Sequence, residues 1–131
     1  MATTANGTFE VKLEPNLQVY EATLGRMFID KQSRGDLEAT SRGEMLAAMT
    51  GVESSAGYVA LERVNGKLHD RSRTFVLQHS GTMNRGIAQL LVTVVPDSGT
   101  EELVGLAGTM TIDADTGKHS YELQYTFGDA A

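Results

Sequence analysis

The strongest constraint on this chain is a hydrophobic period of two. His119, Tyr121, Leu123, Tyr125 and Phe127 alternate with Ser120, Glu122, Gln124 and Thr126. Extended as a strand, that segment has one dry face and one wet face. Comparable stretches are Thr8–Leu13, Leu24–Lys31, Leu37–Met49, Tyr58–Leu68, Thr74–Met83, Ala88–Val95 and Val104–Ile112. None has a convincing helical period. Turn-forming residues separate them at Glu14-Pro15-Asn16, Arg34-Gly35-Asp36, Asp70 to Arg73, Asn84-Arg85-Gly86, Pro96 to Gly99 and Asp113 to Gly117. The expected fold class is therefore all-β, an eight-stranded antiparallel meander. Asn65-Gly66 carries a hairpin signal inside the fourth strand. Because Lys67 to Arg73 is too polar for a core strand, that dipeptide is read as a bulge.

A short pattern recurs within the strands: Gly25-Arg26-Met27, Gly43-Glu44-Met45, Gly81-Thr82-Met83 and Gly108-Thr109-Met110. In a strand, Gly and the Met two positions later share a face, so the Gly relieves crowding or bends the strand while the Met fills the adjoining space. Repeated glycine kinks curl a sheet into a barrel, and closure removes exposed edges. Inward positions would then include Met27, Ile29, Met45, Ala47, Leu77, His79, Met83, Leu106, Met110, Ile112, Tyr121, Leu123 and Tyr125. An eight-stranded barrel is filled by side chains or holds one small ligand. The Met content suits either outcome.

At 131 residues the chain has the size of one domain. Its core is expected over about residues 8–127, with short flexible termini. Eleven basic and seventeen acidic side chains give a net charge of −6, which disfavours nucleic acid and anionic lipid as partners. The absence of Cys excludes disulfides, thiol nucleophiles and thiolate metal sites, and fits a cytoplasmic setting. The longest apolar run, around Leu90 to Val95, is too short to span a bilayer.

Three longer stretches carry a family resemblance: Gly57-Tyr58-Val59-Ala60-Leu61-Glu62-Arg63, Phe75 to Met83, and Val94-Val95-Pro96-Asp97-Ser98-Gly99-Thr100. With Gly43 to Leu46 and Leu103 to Ile112, they make the chain resemble a bacterial single-domain family of unassigned function with the allene oxide cyclase-like barrel. The resemblance covers about Phe9 to Phe127. It implies an eight-stranded barrel, commonly oligomeric, distantly akin in architecture to plant cyclases and dirigent proteins. It implies no reaction, since fold alone does not transmit function.

Familiar catalytic motifs are missing. His69, His79 and His119 lack acidic partners at ligand spacing, so no metal is expected. Asp113 to Gly117 resembles the start of a calcium loop without its distal ligands. There is no dinucleotide fingerprint and no nucleophile elbow, so no cofactor is expected. The remaining candidates are Glu62 and His79. A loop at Asp70 to Arg73 places Glu62 opposite Gly81 and diagonal to His79, with Gly81 leaving room for the carboxylate. A bulge at Asn65-Gly66 would instead turn Val59, Leu61 and Arg63 inward. As a pair in the lumen, Glu62 and His79 would serve as general acid and base, and their alternative role is an ion pair without chemistry.

These residues suggest a barrel that binds a small apolar or amphipathic molecule, lined by Met27, Met45, Tyr58, Met83, Met110, Tyr121 and Tyr125, and that acts as a cofactor-free isomerase or cyclase. The alternative is a non-catalytic binding module, or a structural oligomer with no open lumen. Self-association is expected from outward Val76, Leu91, Val95 and Leu103.

Overall fold

The computed structural model describes residues 2–16, 24–113 and 118–128. It has eight antiparallel strands in meander order, closed by pairing of the first with the last. They are β1 (Thr3–Asn16), β2 (Leu24–Gly35), β3 (Leu37–Met49), β4 (Ala56–Leu68), β5 (Arg71–Asn84), β6 (Ile87–Val94), β7 (Leu106–Asp113) and β8 (His119–Phe127). A single 3-10 turn, Glu101–Leu103, interrupts this pattern among the described residues.

Several boundaries differ from the sequence reading for identifiable reasons. β1 starts at Thr3 because Thr3 to Phe9 pairs with β8, although Thr-Thr-Ala-Asn-Gly shows no alternation. The turn expected at Glu14 to Asn16 is instead strand, since β1 beyond Phe9 pairs with β2 alone. On that edge the missing N–H of Pro15 leaves no ladder bond unmade. No bulge occurs at Asn65-Gly66, where both residues continue the ladders of β3 and β5 in register. The expected seventh strand starts two residues later, at Leu106, and Leu103, expected to point outward, lies in the 3-10 turn before it and is buried. Of the calcium-like segment, only Asp113 lies within the described residues.

The two ends of the barrel are built differently. At the lower end, Leu37, Leu68, Phe75, Leu103, Leu106 and Tyr125 form one buried cluster. Fully burying side chains of this size contributes about 1.5–3 kcal/mol each. The segment after β6 closes this end by continuing along β5: Val95 N–H donates to Val76 O (2.9 Å) and Thr100 N–H to Thr74 O (2.9 Å). The Ser98 hydroxyl accepts from Val76 N–H (3.0 Å). The Tyr121 hydroxyl accepts from Leu37 N–H and donates to Arg34 O, each at 2.9 Å. Tyr125 meets His69 Nδ1 at 2.5 Å. At the upper end the inward side chains are only half-buried or exposed, including Met45, Ala47, Tyr58, Met83 and Leu90.

Candidate functional site

Parity along the strands brings one polar group into the middle of the barrel. On β4, Tyr58, Ala60, Glu62 and Val64 point inward, whereas Val59, Leu61 and Arg63 are exposed. On β5, Leu77, His79 and Gly81 share the inner face. The hairpin between these strands turns at His69 and Asp70, because Leu68 pairs with Arg71. Glu62 therefore lies opposite Leu77, and Tyr58 lies opposite Gly81. This register is displaced by four residues from the one the sequence suggested. An even displacement leaves every side chain on its expected face. Glu62 is still diagonal to His79, now from the other side.

The two side chains meet inside the protein. His79 Nε2 lies 3.0 Å from Glu62 Oε2, and both residues are buried. Glu62, with 1% of its surface exposed, is one of the most deeply buried residues in the chain. Its second partner is Lys31, whose Nζ donates to both carboxylate oxygens, at 3.0 and 2.9 Å. Lys31 stands on β2 and reaches Glu62 across β3. At the crossing, Ile29, Gly43 and Glu62 are paired in one row, and Gly43 has no side chain to keep the partners apart. A Cβ at Gly43 would run into Leu61 O and the Glu62 backbone. The Lys31 ammonium also lies 4.6 Å from the centre of the Phe9 ring, which favours its charge in this dry setting.

Burial by itself pushes the Glu62 carboxyl up. The His79 hydrogen bond and the charge of Lys31 act together in the opposite sense and hold it below its ordinary value. Glu62 is thus a carboxylate at neutral pH. Tyr58 is held up by burial first and by the Glu62 charge second, so its phenol stays protonated. The rings of Tyr58 and His79 are 6.5 Å apart. In the tautomer that donates Nε2–H to Glu62, Nδ1 is the acceptor nitrogen of the His79 ring. No hydrogen bond among the described residues engages that nitrogen. Gly81 makes room for the Tyr58 ring rather than for the carboxylate, since a Cβ there would strike that ring.

Space is distributed unevenly around this group. The void enclosed by Lys31, Ser33, Ser41, Glu62, Leu77 and Met110 has a volume of about 10 Å³, about enough for a single water. The Ser41 hydroxyl is buried there without a partner among the described residues. One row higher, an open mouth of about 320 Å³ is lined by Met45, Ala47, Tyr58, Gly81, Met83 and Leu90, among others. A broader depression of about 810 Å³ lies on the outer face, lined by residues including Arg26, Leu46, Val59 and Leu61. It holds the Arg26–Glu44 ion pair, and His79 is also among its lining residues.

The residues expected to line a ligand site therefore separate. Met45, Tyr58 and Met83 border the mouth. Met27 is half-buried in the hydrogen-bonded row that links Met45, Ala60 and His79. Met110 and Tyr121 border the small inner void, and Tyr125 is packed in the lower cluster. Lys31 had no place in the sequence reading. Its signal was available, because Met27, Ile29 and Lys31 continue the inward alternation of β2.

No group of His, Asp or Glu suited to a metal ion occurs among the described residues, and no helix there is long and apolar enough to cross a membrane. Comparison with curated proteins gives no match. The chain does match a family described as "Protein of unknown function (DUF3224)" over residues 5–125. It is also 50% identical to a Shewanella oneidensis MR-1 protein of unknown function from the same family, known from a crystal structure. That alignment covers 99% of this chain and 100% of the other, with a TM-score of 0.95. By sequence and by barrel architecture alike, the chain belongs to the DUF3224 family.

Proposed function

We propose that the upper mouth of the barrel binds a small apolar or amphipathic molecule, and that His79 exchanges a proton with it in a cofactor-free isomerisation or cyclisation. The observation that carries this reading is an apolar mouth of about 320 Å³ one row above a buried Lys31–Glu62–His79 chain. Small-molecule sites pair a mainly apolar lining with a few placed polar groups. Glu62 is too enclosed to touch a guest, so it orients His79, while Lys31 keeps it ionised. His79 takes a proton from a carbon or oxygen of the guest and returns it at another atom. The Tyr58 phenol supplies a hydrogen bond to the oxygen where charge develops.

Native mass spectrometry of the protein purified from its own cells tests the reading. A retained small molecule that is lost when Ala47 is replaced by Trp supports it; retention by a folded Ala47→Trp protein places the guest elsewhere. With a substrate in hand, Glu62→Gln abolishes turnover and leaves binding largely intact. Full activity in that variant leaves a binding module without catalysis.

A further inference from the structure

Among the described residues, no charged side chain lines the upper mouth. Its polar lining is Tyr58, Thr82 and Gln89, all uncharged amid Met, Ala, Gly and Leu. The cation beneath it is already committed: Lys31 donates to both oxygens of Glu62, and the buried pair is neutral as a unit. In the connections at this end, the described charged residues are Glu53, Arg85 and Lys118, all exposed, with Asp113 ending β7. Arg26, on the outer face, is paired with Glu44. Segments 17–23 and 114–117, outside the described residues, contain Glu21 and Asp115 but no Lys or Arg. The net charge of −6 adds to the same bias against anions.

Charge decides what such a mouth accepts. A carboxylate taken from water without a cation beside it loses far more solvation than a carbonyl or hydroxyl does. Tyr58 reports the local potential: after burial, the Glu62 charge opposes a negative charge on the phenol oxygen. An anion beside His79 would also favour the imidazolium, which cannot take a proton from a guest. A neutral oxygen asks only for one hydrogen bond, and the protonated Tyr58 phenol can donate it. Size sets a second bound. A volume of about 320 Å³ equals about ten waters' share of the liquid, room for a compact guest of roughly one or two rings.

We propose that the mouth selects compact uncharged guests that present a hydrogen-bond-accepting oxygen, and rejects carboxylates of the same size. The selection presupposes that the mouth is a binding site, and it names the class of molecule taken there. The guest's oxygen accepts from Tyr58, and its apolar body lies against Met45, Met83 and Leu90. Discrimination comes from desolvation: the carboxylate gives up its water and finds no cation in exchange.

Nuclear magnetic resonance titrations at neutral pH with 1-acetonaphthone and 1-naphthoate test the proposal. The two probes share the same fused rings and nearly the same size, and differ by a methyl group in place of a carboxylate oxygen. 1-Acetonaphthone should give saturable shifts at Ala47, Met83 and Leu90, and 1-naphthoate should bind at least about tenfold more weakly. Tyr58→Phe should weaken the ketone several-fold. Met83→Lys, at an exposed position of the lining, supplies the missing cation and should raise the affinity for 1-naphthoate. If circular dichroism shows that Met83→Lys does not fold, the wild-type comparison decides. Equal or tighter binding of 1-naphthoate to wild type overturns the selection while leaving the mouth a binding site, as does a folded Met83→Lys with no gain in 1-naphthoate affinity. Binding of neither probe to wild type overturns the mouth as a binding site, and the selection with it.

Discussion

The lower and upper halves of this barrel are made from the same strands, yet they hold different things. Below Glu62 a cluster of buried apolar side chains fills the barrel, and a loop is hydrogen-bonded along β5 to close the end. From the His79 row upward, the inward residues Met45, Ala47, Tyr58, Met83 and Leu90 border open space. The Lys31–Glu62–His79 chain marks the boundary. A solid lower half can hold this charged group rigidly, and an open upper half can admit a guest. Close packing and open space thus lie at opposite ends of one fold, and the proposed binding site takes the open end.

The largest expected effects lie at the boundary and below it. Lys31→Met leaves the Glu62 carboxylate buried with one partner fewer, and the cost should be about 3–5 kcal/mol by chemical denaturation. Phe75→Ala, in the lower cluster, should cost a similar ~3–5 kcal/mol. Met83→Ala in the exposed mouth should cost under about 1 kcal/mol, because little surface there is removed from water. A loss at Met83 equal to that at Phe75 would show that the mouth is as firmly packed as the base.

The same contrast explains what the sequence made visible. Alternation in β8 and β4 revealed which side chains point inward, and an even error in hairpin register left Glu62 beside His79. Lys31 escaped notice because lysine is seldom buried, although its parity was that of Ile29. The closing 3-10 turn was hidden because Leu103-Val104 extends the apolar run of β7, and only tertiary packing shows that Leu103 turns into the core. Whether the lumen was full or open was not written in the pattern at all. That depends on volumes summed across all strands, and the answer differs between the two ends.

Two smaller effects sharpen the comparison. The folded Glu62 carboxyl lies below its ordinary value of 4.5. Its ionised form therefore contributes stability that is fully present above that pH and is lost as pH falls through the lower folded value. Wild type should destabilise more steeply below pH 4.5 than Glu62→Gln, as measured by denaturant midpoints across the acid range. Equal slopes would mean that Glu62 is not held by its partners. Among the recurring glycines, Gly43→Ala forces a Cβ against the backbone of β4, whereas a Cβ at Gly25, near the mouth, meets nothing within 4 Å. Gly43→Ala should destabilise by about 1–3 kcal/mol. Gly25→Ala should be neutral or stabilising by up to about 1 kcal/mol.

The division into a filled base and a receptive mouth is tested most directly by a nuclear magnetic resonance titration with 1-naphthol, a small probe with an apolar body and one hydroxyl. Saturable shifts should appear at Ala47, Tyr58, Met83 and Leu90, with His79 ring signals responding and Leu37, Phe75 and Leu106 unchanged. Shifts centred on the lower cluster, or no shifts up to the solubility limit of the probe, would contradict the account.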